Sequence, residues 1–323
     1  MTSERIPPTR FAPWRHYGRE MSVGVFLLLL LAYFGTTPGF LQASNLRDML
    51  INASPLVIAA CGMTMLIIAG MIDISAGSAL AVCAVTAGVT AKSGAPFVWM
   101  ILLPILAGAT IGAVNGWLVA YGRIPAIIVT LGMMSVLRGG IIWYTRGEWI
   151  GNLPPSFSAV GRGHLLGIPA PVLIAIGVVT VTALLLARTP LGGHIYAIGG
   201  NPLAATRMGI PVRRTLWLVF VMHGALLGLS ALVYASRFSV IQSNAGAGFE
   251  LLVISAVVVG GVNIFGGQGT VWGSAIGGLL LQVISTGLIF RRVSEYWAPS
   301  VQGALVLLAV MADALRTPRR VKR

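Results

Sequence analysis

The sequence predicts an all-α integral membrane protein of about ten transmembrane helices, and three observations predict it. The 323 residues are 56% hydrophobic and only 9% charged, more apolar surface than the single core of a soluble domain of this size can hide. Apolar stretches of about 20 residues, the length that spans a bilayer, recur along the whole chain. The 22 Lys and Arg against eight Asp and Glu gather at the ends of these stretches, where positive charge sets topology and meets anionic lipid. The net charge of +14 is therefore read as a topology signal and not as a nucleic-acid surface.

The expected spans are 21–41, 51–71, 75–91, 97–120, 126–145, 171–187, 215–236, 250–264, 271–290 and 299–315. Residues 1–20 are polar and basic and form a cytoplasmic tail. The apolar run after them leads into a full span and not into a cleavage site. The transmembrane domain covers 21–315 and a basic cytoplasmic tail 316–323. An even count puts both termini on one side. With that side inside, the cytoplasmic pieces hold fourteen Lys and Arg, the opposite side seven, and Arg138 lies within a span. The bias predicts an N-in, C-in chain. The longest outside connection, 147–170, is rich in Pro and Gly and reads as a loop. Cys61 and Cys83 both lie in apolar runs and read as small buried hydrophobes.

Glycine is patterned as well as abundant. Gly108, Gly112 and Gly116 recur at four-residue spacing, and Gly273 and Gly277 repeat the theme. Small residues on one face let membrane helices approach closely. Two further regions interrupt long apolar stretches with small and polar residues: Gly70-Met71-Ile72-Asp73-Ile74-Ser75-Ala76-Gly77-Ser78, and Gly260 through Asn263 and Gln268 to Thr270. Paired interruptions in two halves of a chain point to a transport path. They leave open whether these regions are broken spans or cytoplasmic turns.

The polar residues in or beside spans are the candidate path residues: Asp73, Ser75, Asn115, Thr130, Asn263 and Gln268. Asp73 is an acid in an otherwise apolar neighbourhood, where burying its charge costs about 2.5–3.5 kcal/mol at a span centre. Two readings of it are compatible: a helix N-cap supplied by Asp73 or Ser75, and a polar patch beside the path. No second acid or histidine lies near it in sequence, which argues against a proton-coupling site. Asn115 follows the glycine face and is expected to bond between helices. Arg138 is expected to snorkel outward, and His223 to be a satisfied interior histidine.

Soluble chemistries are excluded by what is missing. There is no phosphate-binding loop, with Lys92 and Lys322 the only lysines, and no H-E-x-x-H, C-x-x-C or G-x-S-x-G. No catalytic, metal or cofactor site is expected. Between the spans ending at 187 and starting at 215 lies a polar, helix-capable insert, Gly199-Gly200-Asn201-Pro202-Leu203-Ala204-Ala205-Thr206-Arg207-Met208-Gly209-Ile210, flanked by Arg188, His194, Arg213 and Arg214. The charge assignment places this stretch, 188–214, in the cytoplasm, where a short helix can dock on a soluble partner.

These stretches, with Asn115-Gly116 through Arg123-Ile124-Pro125 to Gly132 and with Thr189-Pro190-Leu191-Gly192-Gly193, resemble the permease subunits of bacterial ABC importers for monosaccharides, of the ribose, xylose, rhamnose and autoinducer-2 type. The likeness covers nearly the whole chain in order. Met71 stands where the family pattern has a second glycine. The resemblance implies a multi-pass inner-membrane subunit without enzymatic activity of its own. It works with a cytoplasmic ATPase, a periplasmic sugar-binding protein and a second permease chain, identical or paralogous. It further implies that Gly199, Gly200, Asn201, Pro202, Ala204, Ala205, Arg207, Gly209 and Ile210 form the element that couples to the ATPase. Tyr144 to Ile150, with Leu153-Pro154, resembles the rhamnose and autoinducer-2 branch more than the ribose branch. A branched-chain amino acid permease of the same superfamily and a stand-alone ion-coupled carrier are the competing readings.

Overall fold

The computed structural model describes residues 14–293 apart from 166, 239 and 243, together with 297, 300–301, 303–304, 307 and 311. Among the described residues 14–293, twelve helices and one small hairpin follow in order: α1 (Trp14–Gly35), α2 (Ala43–Ile68), α3 (Ala76–Lys92), α4 (Phe97–Ala120), α5 (Ala126–Thr145), α6 (Pro155–Arg162), β1 (His164–Leu165), β2 (Ile168–Pro169), α7 (Ala170–Arg188), α8 (Pro190–Gly200), α9 (Pro202–Arg207), α10 (Val212–Ala235), α11 (Phe249–Val259) and α12 (Val271–Phe290). Nine of the ten expected spans coincide with helices. Six of them, α2, α4, α5, α7, α10 and α12, are long and apolar enough to cross a membrane. The apolar part of α1 from Met21 to Gly35, with α3 and α11, is shorter. The tenth expected span, 299–315, lies largely outside the described residues, as do residues 1–13 and the tail 316–323.

α2 is the axis of the bundle. Of its most apolar window 89% is buried within the chain, against 17% for α5 at the periphery. α10, α12, α11 and α7 pack around α2. Thr64 on α2 donates to Ser274 on α12 at 2.6 Å, and Ser230 on α10 donates to the Pro55 carbonyl at 2.7 Å. The most extensive helix pair is α4 with α10, and the glycine face read from the sequence makes it possible. A Cβ on Gly108 would strike the carbonyl of Gly224, one on Gly112 the carbonyl of Phe220, and one on Gly228 the carbonyl of Pro104. Backbones in such contact gain dispersion energy that larger side chains would forfeit. Gly273 and Gly277 form a second seam against Gly260 and Ala256 of the α11 side.

The helices alternate in direction, so the bundle has two polar ends. At the hairpin end lie the start of α2, α6, β1–β2 and the end of α10. There Ile150 and Ile241 form an isolated antiparallel bridge, Arg47 meets His164, and Arg162 donates to the Arg237 carbonyl at 3.2 Å. At the α9 end lie the C-terminus of α2, helices α8 and α9, and the turn from Gly260 to Thr270.

Candidate functional site

The α9 end is built by caps. Thr189 accepts from the Gly192 amide at 3.2 Å and starts α8. Asn201 accepts from the Ala204 amide at 3.0 Å with Pro202 in the first helical position, so a single residue separates α8 from α9. α9 closes where the Ile210 amide returns to the Ala205 carbonyl at 3.1 Å and Gly209 takes φ +79°, a left-handed stop that suits glycine. The helix buries Ala205 and turns Leu203, 76% exposed, and Met208, 81% exposed, away from the protein. Asn201, Pro202, Ala204 and Arg207 are exposed beside them.

Both sequence interruptions meet this element. The carbonyl of Ile68, last residue of α2, accepts from the Gly267 amide at 2.8 Å. Gly199 lies against the same oxygen so closely that no Cβ could be accommodated. Gly266, at φ +90°, lies on Gly199 and Gly70, and Gly267 lies on Gly200. The Tyr196 hydroxyl donates to the Gly269 carbonyl at 2.8 Å. Three segments that the sequence marked separately therefore share one junction of glycines. The stretch 263–270 is a turn between α11 and α12. Asn263 accepts from the Phe265 amide at 2.9 Å, Gln268 accepts at its carbonyl from the Asn263 amide at 3.0 Å, and Thr270 caps α12 by accepting from Gly273 at 3.1 Å. Gln268 is exposed, and Phe265, at the tip of the turn, is 76% exposed.

The other interruption re-enters the bundle. Residues 71–75 run inward from the junction and bring Asp73 to a buried polar cluster. One carboxylate oxygen accepts from the Ser75 amide at 2.8 Å and its hydroxyl at 2.5 Å. The other faces His223 Nε2 of α10 at 3.5 Å, with both side chains almost wholly buried. Asn115 of α4 donates to the Ser75 hydroxyl at 3.0 Å. His223 packs over Gly62, which has no room for a Cβ beneath the ring. The cluster corrects two expectations. Asp73 bonds Ser75, the residue before α3, and not the free amides of the helix, so it is no N-cap. An imidazole does stand beside it, supplied from 150 positions away in the sequence. Asn115 bonds between elements as expected. Thr130 returns its hydroxyl to the Ala126 carbonyl at 2.9 Å within α5 and is fully buried.

Among the described residues, the buried Ser78 hydroxyl, Asn115 Oδ1 and both His223 nitrogens have no hydrogen-bond partner. Among the described residues, no group of three or more His, Cys, Asp or Glu is placed to hold a metal ion. At the hairpin end a pocket of about 270 Å³ gathers Arg47, Arg162, Arg237 and His164 around Asp48. Burial lowers the pKa of the Arg237 guanidinium from its ordinary value, and the nearby Asp48 carboxylate opposes that shift.

Sequence reasoning passed over Leu203, Met208 and Phe265 as site residues. The signal available was their size beside small and polar neighbours in a segment expected outside the membrane. Arg138, read as an outward-snorkelling residue, and Glu250 were not among the candidate path residues. The Arg138 guanidinium donates to the Ala245 carbonyl at 3.1 Å and does not snorkel outward.

The sequence model of the family described as "Branched-chain amino acid transport system / permease component" matches residues 45–310. The chain is 38% identical to the ribose import permease protein RbsC of Escherichia coli over 97% of this chain and 99% of that protein. It is 36% identical to the ribose import permease protein RbsC of Haemophilus influenzae over 90% of this chain and 91% of that one. It is 34% identical to the autoinducer 2 import system permease protein LsrC of an Enterobacter species over 91% and 85%. No solved structure matches it significantly. Ribose and autoinducer-2 relatives thus stand side by side, and the likeness of the 144–154 loop to one branch does not decide between them.

Proposed function

Because the chain belongs to the permease-component family of these import systems, and is a multi-pass membrane transport subunit and not an enzyme, we propose that it carries a monosaccharide across the bacterial inner membrane as part of an ATP-driven importer. Relatives named for ribose and autoinducer-2 support a sugar or sugar-like solute over a branched-chain amino acid. The whole assembly comprises this chain, a second permease chain, a cytoplasmic ATPase and a periplasmic sugar-binding protein. The chain has ten spans with both termini inside, so the α9 end is cytoplasmic and the hairpin end, with its basic pocket, receives the binding protein.

The observation that carries the mechanism is the contact of Gly199 with the Ile68 carbonyl. The ATPase grips α9 through Leu203 and Met208, with Gly199, Gly200, Asn201, Pro202, Ala204, Ala205, Arg207, Gly209 and Ile210 shaping the element. Its movement is delivered to backbone, without a compressible side chain between. The 69–75 turn then carries the movement inward to Asp73, which faces His223 of α10, and to Ser75, which holds α4 through Asn115. Asp73, Ser75, Asn115 and Thr130 lie beside the path as its inner frame, and Asn263 and Gln268 border its cytoplasmic mouth. A neutral sugar needs width and hydrogen bonds, which suits a frame with so few charges.

Uptake of labelled ribose, xylose, rhamnose and autoinducer-2 tests this, in cells with and without the gene and in a strain whose partner ATPase is inactive. Loss of the same solute's uptake in both deficient strains supports the proposal. Uptake that needs this chain but survives the inactive ATPase favours the ion-coupled carrier.

A further inference from the structure

After α10 ends at Ala235 the chain does not stay at the hairpin end. Ile241 packs on Gly88, near the outer end of α3, yet Gly246 already lies against Gly77, the second residue of α3. Ile241 and Gly246 therefore sit at opposite ends of α3, and α11 begins deep in the bundle. Its 11 residues make it about half a membrane long at 1.5 Å per residue. Gly246 at φ +72° and Gly248 at φ +77° form the non-helical bend at its head.

Glu250 stands at that head. It is nine residues before the end of α11 at Val259, or about 14 Å from the α9 end, close to the middle of a bilayer core of about 30 Å. Its carboxylate covers Gly77, where any Cβ would collide with it. The first turns of α3 and α11 both lie there, and the partial positive charge of helix N-termini favours a carboxylate. Arg138 is twelve residues into α5 and reaches the segment between Ile241 and Gly246 through Ala245. Among the described residues Glu250 forms no ion pair, and both side chains are only partly buried within the chain.

Partly exposed charges at half-depth cannot face hydrocarbon; they face a water-filled cavity, a ligand or another protein surface. We propose that Glu250 and Arg138 line the solute path at mid-membrane and form a subsite for a neutral polyhydroxylated molecule. The carboxylate accepts from hydroxyl groups. The guanidinium has five N–H donors, one of them used on Ala245, and donates the rest to ring or hydroxyl oxygens. The position of the subsite rests on the structure alone, whereas its ligand class rests on the sugar-import reading above.

The test is thiol accessibility in the assembled transporter. In a Cys61→Ala, Cys83→Ala background, Glu250→Cys and Arg138→Cys are exposed to a charged, membrane-impermeant methanethiosulfonate reagent. Ile176→Cys, on the apolar outer face of α7, serves as control. Glu250→Cys and Arg138→Cys are expected to react, the control is not, and ribose is expected to slow the reaction. Two sites as inert as the control, or protection by assembly regardless of solute, would overturn the placement. Protection by leucine and not by ribose would overturn the ligand class.

Function gives a second readout. Glu250→Gln is expected to cut ribose uptake about tenfold, the scale of losing one hydrogen bond to a charged group. Glu250→Asp is expected to retain most of it, and unchanged uptake in Glu250→Gln would count against solute contact. A wild-type chain that imports none of ribose, xylose, rhamnose and autoinducer-2 would sink the sugar reading separately, leaving the accessibility result to decide the placement.

Discussion

Gly199 lies directly on the carbonyl oxygen of Ile68, and that oxygen is already held at 2.8 Å by the amide of Gly267. A hydrogen bond fixes the oxygen in place and the glycine touches it without an intervening side chain. Any displacement of α8 and α9 must therefore move the end of α2 and the turn before α12 together.

Gly199→Ala and Gly200→Ala should accordingly differ sharply, although the two residues are neighbours. The first drives a methyl group into backbone, and overpacking of this kind costs about 1–3 kcal/mol or more. The second points into open space. Thermal melting of the two purified variants in detergent should show a lowered midpoint for Gly199→Ala and a near-wild-type one for Gly200→Ala.

The α4–α10 seam gives a second prediction. Gly112→Leu replaces a contact with the Phe220 carbonyl by a side chain with nowhere to go. The variant should express poorly and lose monodisperse behaviour in size-exclusion chromatography. Gly132→Leu on α5, with nothing within 4 Å, should behave as wild type in the monomeric chain.

The pair of Asp73 and His223 should be strongly coupled. His223→Ala strips the buried Asp73 carboxylate of the imidazole that faces it, and leaving a buried charge without its neighbouring polar group costs about 3–5 kcal/mol. His223→Ala should therefore destabilise more than the double variant Asp73→Asn, His223→Ala, in which no buried carboxylate is stranded. A double-mutant cycle on thermal or denaturant stability reads the coupling directly; additive effects would mean that the two groups do not interact.

Helix positions were largely legible in the sequence, because an apolar run of spanning length leaves the chain little choice. The boundaries of α4, α5 and α12 fall where the apolar runs 97–120, 126–145 and 271–290 begin and end. The glycine face of α4 was legible for the same reason, since a four-residue repeat marks one side of a helix. What was not legible depends on contacts between distant segments. Nothing in the residues around Asp73 announces His223, and nothing near Gly199 announces Gly267. Glu250 shows a different failure. An apolar run beginning at 250 suggests a span that starts at the membrane surface. Instead, the chain passes from Ile241, on Gly88 near the end of α3, to Gly246, on Gly77 near its start, before α11 begins. The glycines at 246 and 248 were the available sign.

Coupling through α9 predicts a separation of assembly from activity. Arg207→Glu and Gly200→Glu alter the exposed element without crowding any core residue. Both should leave expression and melting close to wild type while ATP-driven uptake is lost. Normal uptake in both would remove α9 from the coupling role.

The central claim is that ATP hydrolysis by a partner reaches this chain through α9, and one reconstitution tests it most directly. Proteoliposomes holding the chain, its ATPase and its binding protein are loaded with ATP, and ribose entry and phosphate release are followed together for wild type and for Leu203→Asp, Met208→Asp. Wild type should show ATP-dependent entry, and the variant no entry and loss of the ATPase from the complex. Entry that proceeds without ATP, or an undisturbed complex importing at the wild-type rate in the variant, would contradict it.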